Sequence, residues 1–295
     1  MRTLVPIVIT SAMLINSNVA ENDHPEYIPG GNYMVGQYVI VKGDVHKIYQ
    51  CLAGGTYPFT DATKWLDCGM VNRWLWSDKS VASQTTNPIS IENEYRIPSR
   101  CNTVALLNLS AANVRVQMID DADGVVYDKS FSMVSTMGIN NYSAYCFEPI
   151  SRKSDLILMD LPNYANARII VTISEPAGVA KVGVILIGRI KKHGESQYGI
   201  KLGIDDFSIK ENDEMGAFRV VERDFRKTNE ISTEIDSWNV DAFYNYLISI
   251  RAKPTLFIGS TLYTSTYAWG FYRDFSIVIP SATKSLCNIS VESLT

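Results

Sequence analysis

The chain has 295 residues, 46% of them hydrophobic, and a formal net charge of −4 at pH 7. That length corresponds to two or three domains, with enough apolar material for more than one core. Basic residues are scattered along the chain, which argues against the basic face of a nucleic-acid-binding protein. No stretch reaches the ~20 consecutive apolar residues that a membrane-spanning helix requires.

Residues 1–32 combine an apolar stretch with a linker. Residues 4–14 follow Arg2 in the manner of a secretory signal, but Pro6 and Thr10 interrupt the apolar run. Apolar residues also alternate at positions 5, 7 and 9, which is typical of a strand. We therefore predict a strand over residues 3–10, no cleaved signal, and a linker over residues 20–32.

A small unit follows at residues 33–68, in which two short apolar strands flank a polar turn. Its landmarks are Tyr33, Gly36, Val39, Ile48, Tyr49, Cys51, Leu52, Pro58 and Trp65. This order resembles the small chitin-binding carbohydrate modules of families five and twelve. The resemblance implies a compact three-stranded unit closed by Trp65, and sugar binding by exposed aromatic rings that stack on pyranose faces.

Three aromatic residues are the candidates for such stacking. In the resembled modules the stacking aromatics often follow the second strand, where this chain has Tyr57 and Phe59. Trp76 lies in a tryptophan-rich connector at residues 69–80, where it packs between domains or forms an exposed aromatic site. The unit at 33–68 is accordingly either a structural spacer or a glycan-binding module.

Residues 81–190 show an all-β pattern. Apolar runs or alternations stand at 89–91, 104–109, 114–118, 125–127, 142–147, 155–159, 168–173 and 181–190. Strands at this spacing predict a β-sandwich of jelly-roll type. Asp120, Asp121 and Asp123 precede Gly124 between two of these strands, which indicates a hairpin turn. A calcium loop would require further ligands and a closing glutamate, so we predict no metal.

Residues 191–295 predict an α+β domain. Strands are expected at 198–209, 219–225, 230–235, 256–258, 269–279 and 286–292, with a polar hairpin loop at 211–216. One helix follows Asn239 as its cap and keeps apolar residues at helical spacing until Pro254. The whole chain is thus predicted to be mainly β, with a three-stranded module, a sandwich and one main helix.

No sequence motif in the chain indicates a catalytic or metal-binding site. His24, His46 and His193 have neither a nucleophile nor a ligand at a useful spacing. The five cysteines, at positions 51, 68, 101, 146 and 287, include no CxxC, so we expect reduced, buried thiols, with Cys51 and Cys68 the one pair to test for a disulfide. We expect no catalytic residues, no cofactor and no enzyme activity. A carbohydrate-active enzyme is the less favoured alternative, because two carboxylates can be brought together by a β fold.

The overall arrangement also resembles bacteriophage virion proteins of the tail region. The residues concerned are the N-terminal strand, the module, residues 64–74 and the segment 269–277. The resemblance implies a component of the tail tip, baseplate or fibre attachment, made in the bacterial cytoplasm and located in the virion tail. Its partners would be other tail proteins and copies of itself, with a contribution to attachment at host glycans. A glycan-binding adhesin is the alternative.

The N-terminal strand supplies the expected assembly contact. An unpaired strand edge is a ready template for another chain. We expect this strand to dock onto another subunit or domain through Leu4, Val5, Ile7 and Ile9.

Overall fold

The computed structural model describes residues 1–136, 139–212 and 218–294. Strands make up 51% of the structure and helices 10%, which confirms the predicted mainly β class with one main helix, and the sheets are large and antiparallel.

The first strands are β1 (Arg2–Pro6), β2 (Leu14–Ser17), β3 (Tyr38–Val41), β4 (Lys47–Cys51), β5 (Trp65–Met70), β6 (Thr85–Arg96), β7 (Thr103–Ser110), β8 (Asn113–Asp120), β9 (Gly124–Ser132), β10 (Leu156–Leu158) and β11 (Arg168–Lys192). They are followed by β12 (Glu195–Ser196), β13 (Lys201–Asp206), β14 (Ile209–Asn212), β15 (Phe218–Val221), β16 (Phe225–Asp236), β17 (Thr255–Ile258), β18 (Tyr267–Val278) and β19 (Lys284–Ser293). The α-helices are α1 (Tyr142–Phe147) and α2 (Val240–Ile250), and short 3₁₀ helices cover Asn72–Ser77, Ser237–Asn239 and Thr264–Thr266.

The chain forms two compact units. One consists of Val8–Ile187, and the other combines Met1–Ile7 with Gly188–Thr295. The unit boundary therefore falls inside the long strand β11. We call them the central unit and the terminal unit.

The central unit begins with the three-stranded module. Strands β3, β4 and β5 form an antiparallel sheet in which Val39 pairs with Tyr49 and Cys51 pairs with Trp65. The module has a small hydrophobic core, which consists of the buried residues Tyr33, Val39, Cys51 and Trp65. The compact three-stranded unit expected for residues 33–68 is confirmed, and Trp65 closes its core as predicted.

The rest of the central unit is organised around β11. Its first half pairs with β6 on one side and β8 on the other, so that Val171 faces Asn93 and Val116. A register shift between Glu175 and Val179 interrupts the ladder with β6, and β11 also pairs with β7, which carries β10. The predicted hairpin at Gly124 is confirmed, because β8 and β9 pair as far as Asp120 and Gly124.

One strand prediction in this unit is wrong. Residues 142–147 form the helix α1 instead, and the Asn141 side chain caps it by accepting a hydrogen bond from the Ala144 amide at 2.7 Å. An N-cap of this kind satisfies a backbone donor that would otherwise be unpaired at the helix start. The apolar residues of this segment predict a strand, but the segment forms a helix that begins at the Asn141 cap.

The terminal unit is a sheet covered by α2. The end of β11 pairs with β1, and the strand order of the sheet continues through β17, β18, β19 and β16. The short strands β12 and β13 both pair with β16. Buried Phe243, Leu247 and Ile250 of α2 pack with the sheet residues Ile231 and Ile289 in one core.

The predicted helix in this unit is confirmed, and Asn239 occupies the N-cap position as predicted. Asn239 makes no capping side-chain hydrogen bond, because the 3₁₀ turn Ser237–Asn239 already leads into α2. The expected hairpin loop at 211–216 falls mostly outside the described residues, between the paired strands β14 and β15.

All five cysteines are free in this structure, and Cys51 and Cys68 form no disulfide. Cys51, Cys101 and Cys287 are buried, whereas Cys68 and Cys146 are exposed, which corrects the expectation that all are buried. In the described ranges no helix is long and apolar enough to cross a membrane.

Candidate interaction surfaces

The N-terminal strand offers no free edge. Leu4 of β1 pairs with Ile190 on one side and with Leu256 on the other, and its side chain is fully buried. Val5 and Ile7 are half-buried and Ile9 is buried. The interpretation of Leu4, Val5, Ile7 and Ile9 as a contact with another subunit is therefore corrected, because this chain itself occupies both edges of β1.

A polar and aromatic cluster holds β1 in place in the terminal unit. Thr3 Oγ1 lies 2.8 Å from Nε2 of His193 and 2.7 Å from the Tyr246 hydroxyl. The His193 ring lies 4.9 Å from the Phe243 ring and 4.6 Å from the Tyr246 ring, between centroids. Burial, with the nearby Lys191 ammonium, lowers the pKa of His193 to about 4. His193 is therefore neutral near pH 7 and serves packing.

The aromatic core of the module extends into the preceding linker. Tyr27 stacks on Tyr33 with 5.5 Å between ring centroids, and it meets Trp65 edge-on at 5.7 Å. Glu26 forms an isolated bridge with Ile40, which ties the segment to β3. The linker composition of residues 20–32 gave no signal of this packing.

Tyr57 is engaged by its own module. The Lys64 ammonium lies 5.3 Å from the centre of its ring, a cation–π contact on one face. A methyl group at Gly55 would lie only 2.9 Å from Cε2 of Tyr57, so the backbone closely approaches the ring. A sugar would have to displace the lysine to stack on that face, and the geometry therefore does not favour Tyr57 as a platform.

Phe59 is the stacking candidate with the most exposed ring. Its side chain is 38% exposed. It meets Tyr27 at 5.7 Å with an interplanar angle of 73° and Tyr49 at 6.1 Å with an angle of 61°. Because the neighbouring rings are steeply inclined, they form an aromatic edge around Phe59 and not a flat platform.

Trp76 is a core residue. Its side chain is 1% exposed, stacks on Trp74 at 5.6 Å and meets Tyr95 edge-on at 5.2 Å. Its indole N–H donates to the Arg73 carbonyl at 2.8 Å. The interpretation of Trp76 as a sugar-binding residue is therefore wrong, and its role is packing within the central unit.

The central unit also presents an apolar segment at residues 139–150, the loop 139–150, for which the sequence predicts a strand at 142–147. Its stem is paired: the Ser135 amide donates to the Ser151 carbonyl at 2.9 Å, and the Lys153 amide donates to the Met133 carbonyl at 2.7 Å. The loop carries α1, and four of its large apolar side chains are 73–84% exposed, whereas Ile139 is half-buried. The four exposed side chains are Tyr142, Tyr145, Phe147 and Ile150.

The terminal unit contains a cleft of about 500 Å³. Exposed Tyr198, Leu262 and Tyr263 line it together with several hydroxyl side chains. Glu195 is the only carboxylate among its described lining residues, and it is ion-paired with Lys192. The cleft thus lacks the pair of carboxylates on which glycoside hydrolysis depends.

No protein-family model, no curated protein and no solved structure matches this chain. The likenesses to carbohydrate modules and to tail proteins therefore remain interpretations of the sequence. Among the surfaces above, the loop 139–150 presents four large apolar side chains that are each at least 73% exposed, and Phe59 is the best placed for a sugar.

Proposed function

We propose that this chain is a structural component of a bacteriophage tail, at the tail tip, in the baseplate or as a fibre-docking adaptor. The observation that supports this proposal best is the loop 139–150. Four large apolar side chains project from it into solvent on a paired stem. Exposed apolar clusters of this kind mark protein interaction sites on soluble proteins.

The energetics favour a protein partner for the loop. Burying one large apolar side chain contributes roughly 1.5–3 kcal/mol. Tyr142 and Tyr145 also add hydroxyl groups that can bond at the rim of an interface. Glu148 is the only charged residue between Ile139 and Ser151, so little charge has to be desolvated when the loop is covered.

The proposal is tested on phage particles. Mass spectrometry of purified virions that encode this chain is expected to detect it as a stoichiometric component. A phage lacking the gene would then be complemented with Tyr142→Ser, Tyr145→Ser and Phe147→Ser combined. This variant is expected to fold normally, because the replaced side chains are exposed, and to be lost from particles.

A matched control replaces similarly exposed apolar residues of the module and of the linker before it. Ile28→Ser, Met34→Ser and Val35→Ser change three side chains that are also well exposed. This control is expected to be incorporated normally. Absence of the chain from wild-type virions, or normal incorporation of the loop variant, would rule out the proposal.

Glycan binding by the module is the second candidate function, and the exposed ring of Phe59 favours it. A glycan array with the wild type, Phe59→Ala and Tyr57→Ala separates the possible roles. Binding that is lost with Phe59→Ala, in a variant of unchanged stability, would support a sugar site at this edge. An array without any signal, or binding unaffected by Phe59→Ala, would eliminate it.

A further inference from the structure

The terminal unit has an open sheet edge at β13. Residues Lys201–Asp206 pair with β16 along the whole strand, from Lys201 with Glu230 to Asp206 with Phe225. On the other side of β13, no strand within the described residues is paired with it. Nor do its backbone groups make turn or loop hydrogen bonds to other described residues. Such an edge is a template for another strand.

The face of this edge is apolar. Leu202 and Ile204 lie across from Asn229 and Lys227, and their side chains are 48% and 64% exposed. Successive residues of a strand point to opposite faces, so Asn229 and the core residue Ile231 share the face of Leu202. The core face of the sheet thus continues, uncovered, to its edge and forms a shallow groove of about 350 Å³ there.

The sequence of β13 is complementary to itself. It reads Lys-Leu-Gly-Ile-Asp over residues 201–205, with a positive charge at one end and a negative charge at the other. If two such strands run antiparallel and centre on Gly203, Lys201 of each faces Asp205 of the other. Leu202 of each then faces Ile204 of the other, and the residues at the centre carry no side chain.

We propose that β13 pairs with β13 of a second copy of this chain, antiparallel, about a two-fold axis at Gly203. The pairing joins the edges into one continuous sheet and places the apolar pairs side by side on its uncovered face. Opposite charges and apolar pairs across an antiparallel ladder are both favourable. A two-fold contact of this kind is closed, so it produces a dimer and not a filament.

Other registers between the two strands bring less favourable pairs of side chains together. A shift by one residue opposes Leu202 to Asp205, and a parallel arrangement brings like charges together. Within the chain, Lys201 pairs with Glu230 at 2.8 Å and Asp205 with Arg226 at 2.8 Å. The Lys201–Glu230 pair is largely exposed, so Lys201 can reorient toward a second copy at little cost. Asp205 is 45% exposed, and the Arg226 that it would leave keeps its ion pair with Glu292 at 2.6 Å.

Sedimentation velocity on the purified chain tests the proposal, which does not depend on the tail function. The wild type is expected to dimerise as its concentration rises. Lys201→Glu and Asp205→Lys are each expected to weaken dimerisation by about tenfold or more, because each places like charges face to face twice. An equimolar mixture of these variants is expected to restore the dimer, since both facing pairs then carry opposite charges.

Lys253→Glu serves as the control, because it makes the same charge reversal at an exposed lysine that follows α2. It is expected to leave dimerisation unchanged. Hydrogen exchange gives a second readout: the amides of residues 201–206 are expected to gain protection with concentration. A wild type that stays monomeric, a dimer insensitive to positions 201 and 205, or a mixture that fails to recover would each overturn the proposal.

Discussion

The rings of Trp74 and Trp76 stack on each other with 5.6 Å between centroids and 25° between planes. Both side chains are 1% exposed. The 3₁₀ turn Asn72–Ser77 that carries them is fixed to β6, because the Trp76 amide donates to Thr85 Oγ1 at 2.9 Å. The connector between the module and the β-rich remainder of the central unit is therefore a packed element with its own aromatic core.

Replacing Trp76 is expected to affect stability and not ligand binding. Trp76→Ala leaves a cavity beside Trp74 and Tyr95, and we expect a loss of about 3–5 kcal/mol in the free energy of unfolding of the central unit. Urea denaturation followed by circular dichroism measures it. Phe59→Ala is the control and is expected to cost less than about 1 kcal/mol. Equal costs for both variants would contradict the buried position of Trp76.

Gly55 is expected to tolerate no side chain. Its φ of 139° is unfavourable for L-residues, and a methyl group there would lie 2.9 Å from Cε2 of Tyr57. We expect Gly55→Ala to destabilise the module by about 1–3 kcal/mol. The fluorescence of buried Trp65 during denaturation reports it. Gly43→Ala, at a turn with ordinary spacing, is the control, and a neutral Gly55→Ala would refute the close approach.

Leu4 is expected to act as a folding residue. Because β1 is paired on both sides and Leu4 is fully buried, Leu4→Ala should lower the free energy of unfolding by about 2–5 kcal/mol. Val8→Ala, at a position that is 78% exposed, is expected to change it by less than about 0.5 kcal/mol. Thermal denaturation of the isolated protein compares them. A stable Leu4→Ala variant that fails only in assembly would restore the interpretation as a subunit contact.

His193 is expected to make stability depend on pH. Its pKa in the folded protein is about 4, below the value of about 6.5 for an unfolded chain. Between these values the unfolded chain binds a proton that the folded protein excludes. The contribution of His193 to the free energy of unfolding is therefore fully present above about pH 6.5. It falls by up to about 3 kcal/mol as the pH drops toward 4.

His193→Gln isolates this contribution. Carboxylates titrate over part of the same range, so the informative quantity is the difference in unfolding free energy between the wild type and the variant at each pH. That difference is expected to change between pH 6.5 and 4 and to be constant above it. A constant difference across the whole range would show that folding does not lower the pKa of His193.

Thiol labelling is expected to separate the cysteines into two classes. Cys68 and Cys146 are exposed and should react rapidly with a maleimide in the native protein. Cys51, Cys101 and Cys287 are buried, and burial raises the pKa of Cys101 to about 11 and that of Cys287 to about 12. These residues should react only after denaturation. Cys68→Ser should remove one of the fast-reacting thiols, and rapid labelling at Cys287 would contradict its position in the core.

The sequence was informative where a local pattern decides the structure. The alternation around Val116 and the Asp-Gly turn at Gly124 predict the β8–β9 hairpin, because side-chain period and turn conformation are local properties. The helical spacing of Phe243 and Leu247 predicts α2 for the same reason. Trp65 was recognisable as a core residue from its place at the end of the module.

Other features depend on contacts between residues distant in sequence. Nothing near Leu4 indicates that β17, about 250 residues away, takes one edge of its strand. Likewise, the presence of an aromatic residue in the sequence does not indicate whether its ring stacks on a sugar or packs against a neighbouring residue. The sequence therefore leaves Trp76 open between packing and sugar binding, and it predicts a strand in the segment where α1 exposes Tyr142.

By itself, the sequence determined the mainly β class, the β8–β9 hairpin and the position of the main helix. These follow from period, composition and spacing, which act over a few residues. Only the tertiary structure decided that β1 is internal, that Trp76 is buried, that the apolar side chains of the loop 139–150 are exposed and that β13 remains an edge. Exposure and strand pairing are properties of the assembled sheet, because they depend on which distant segments come to lie side by side.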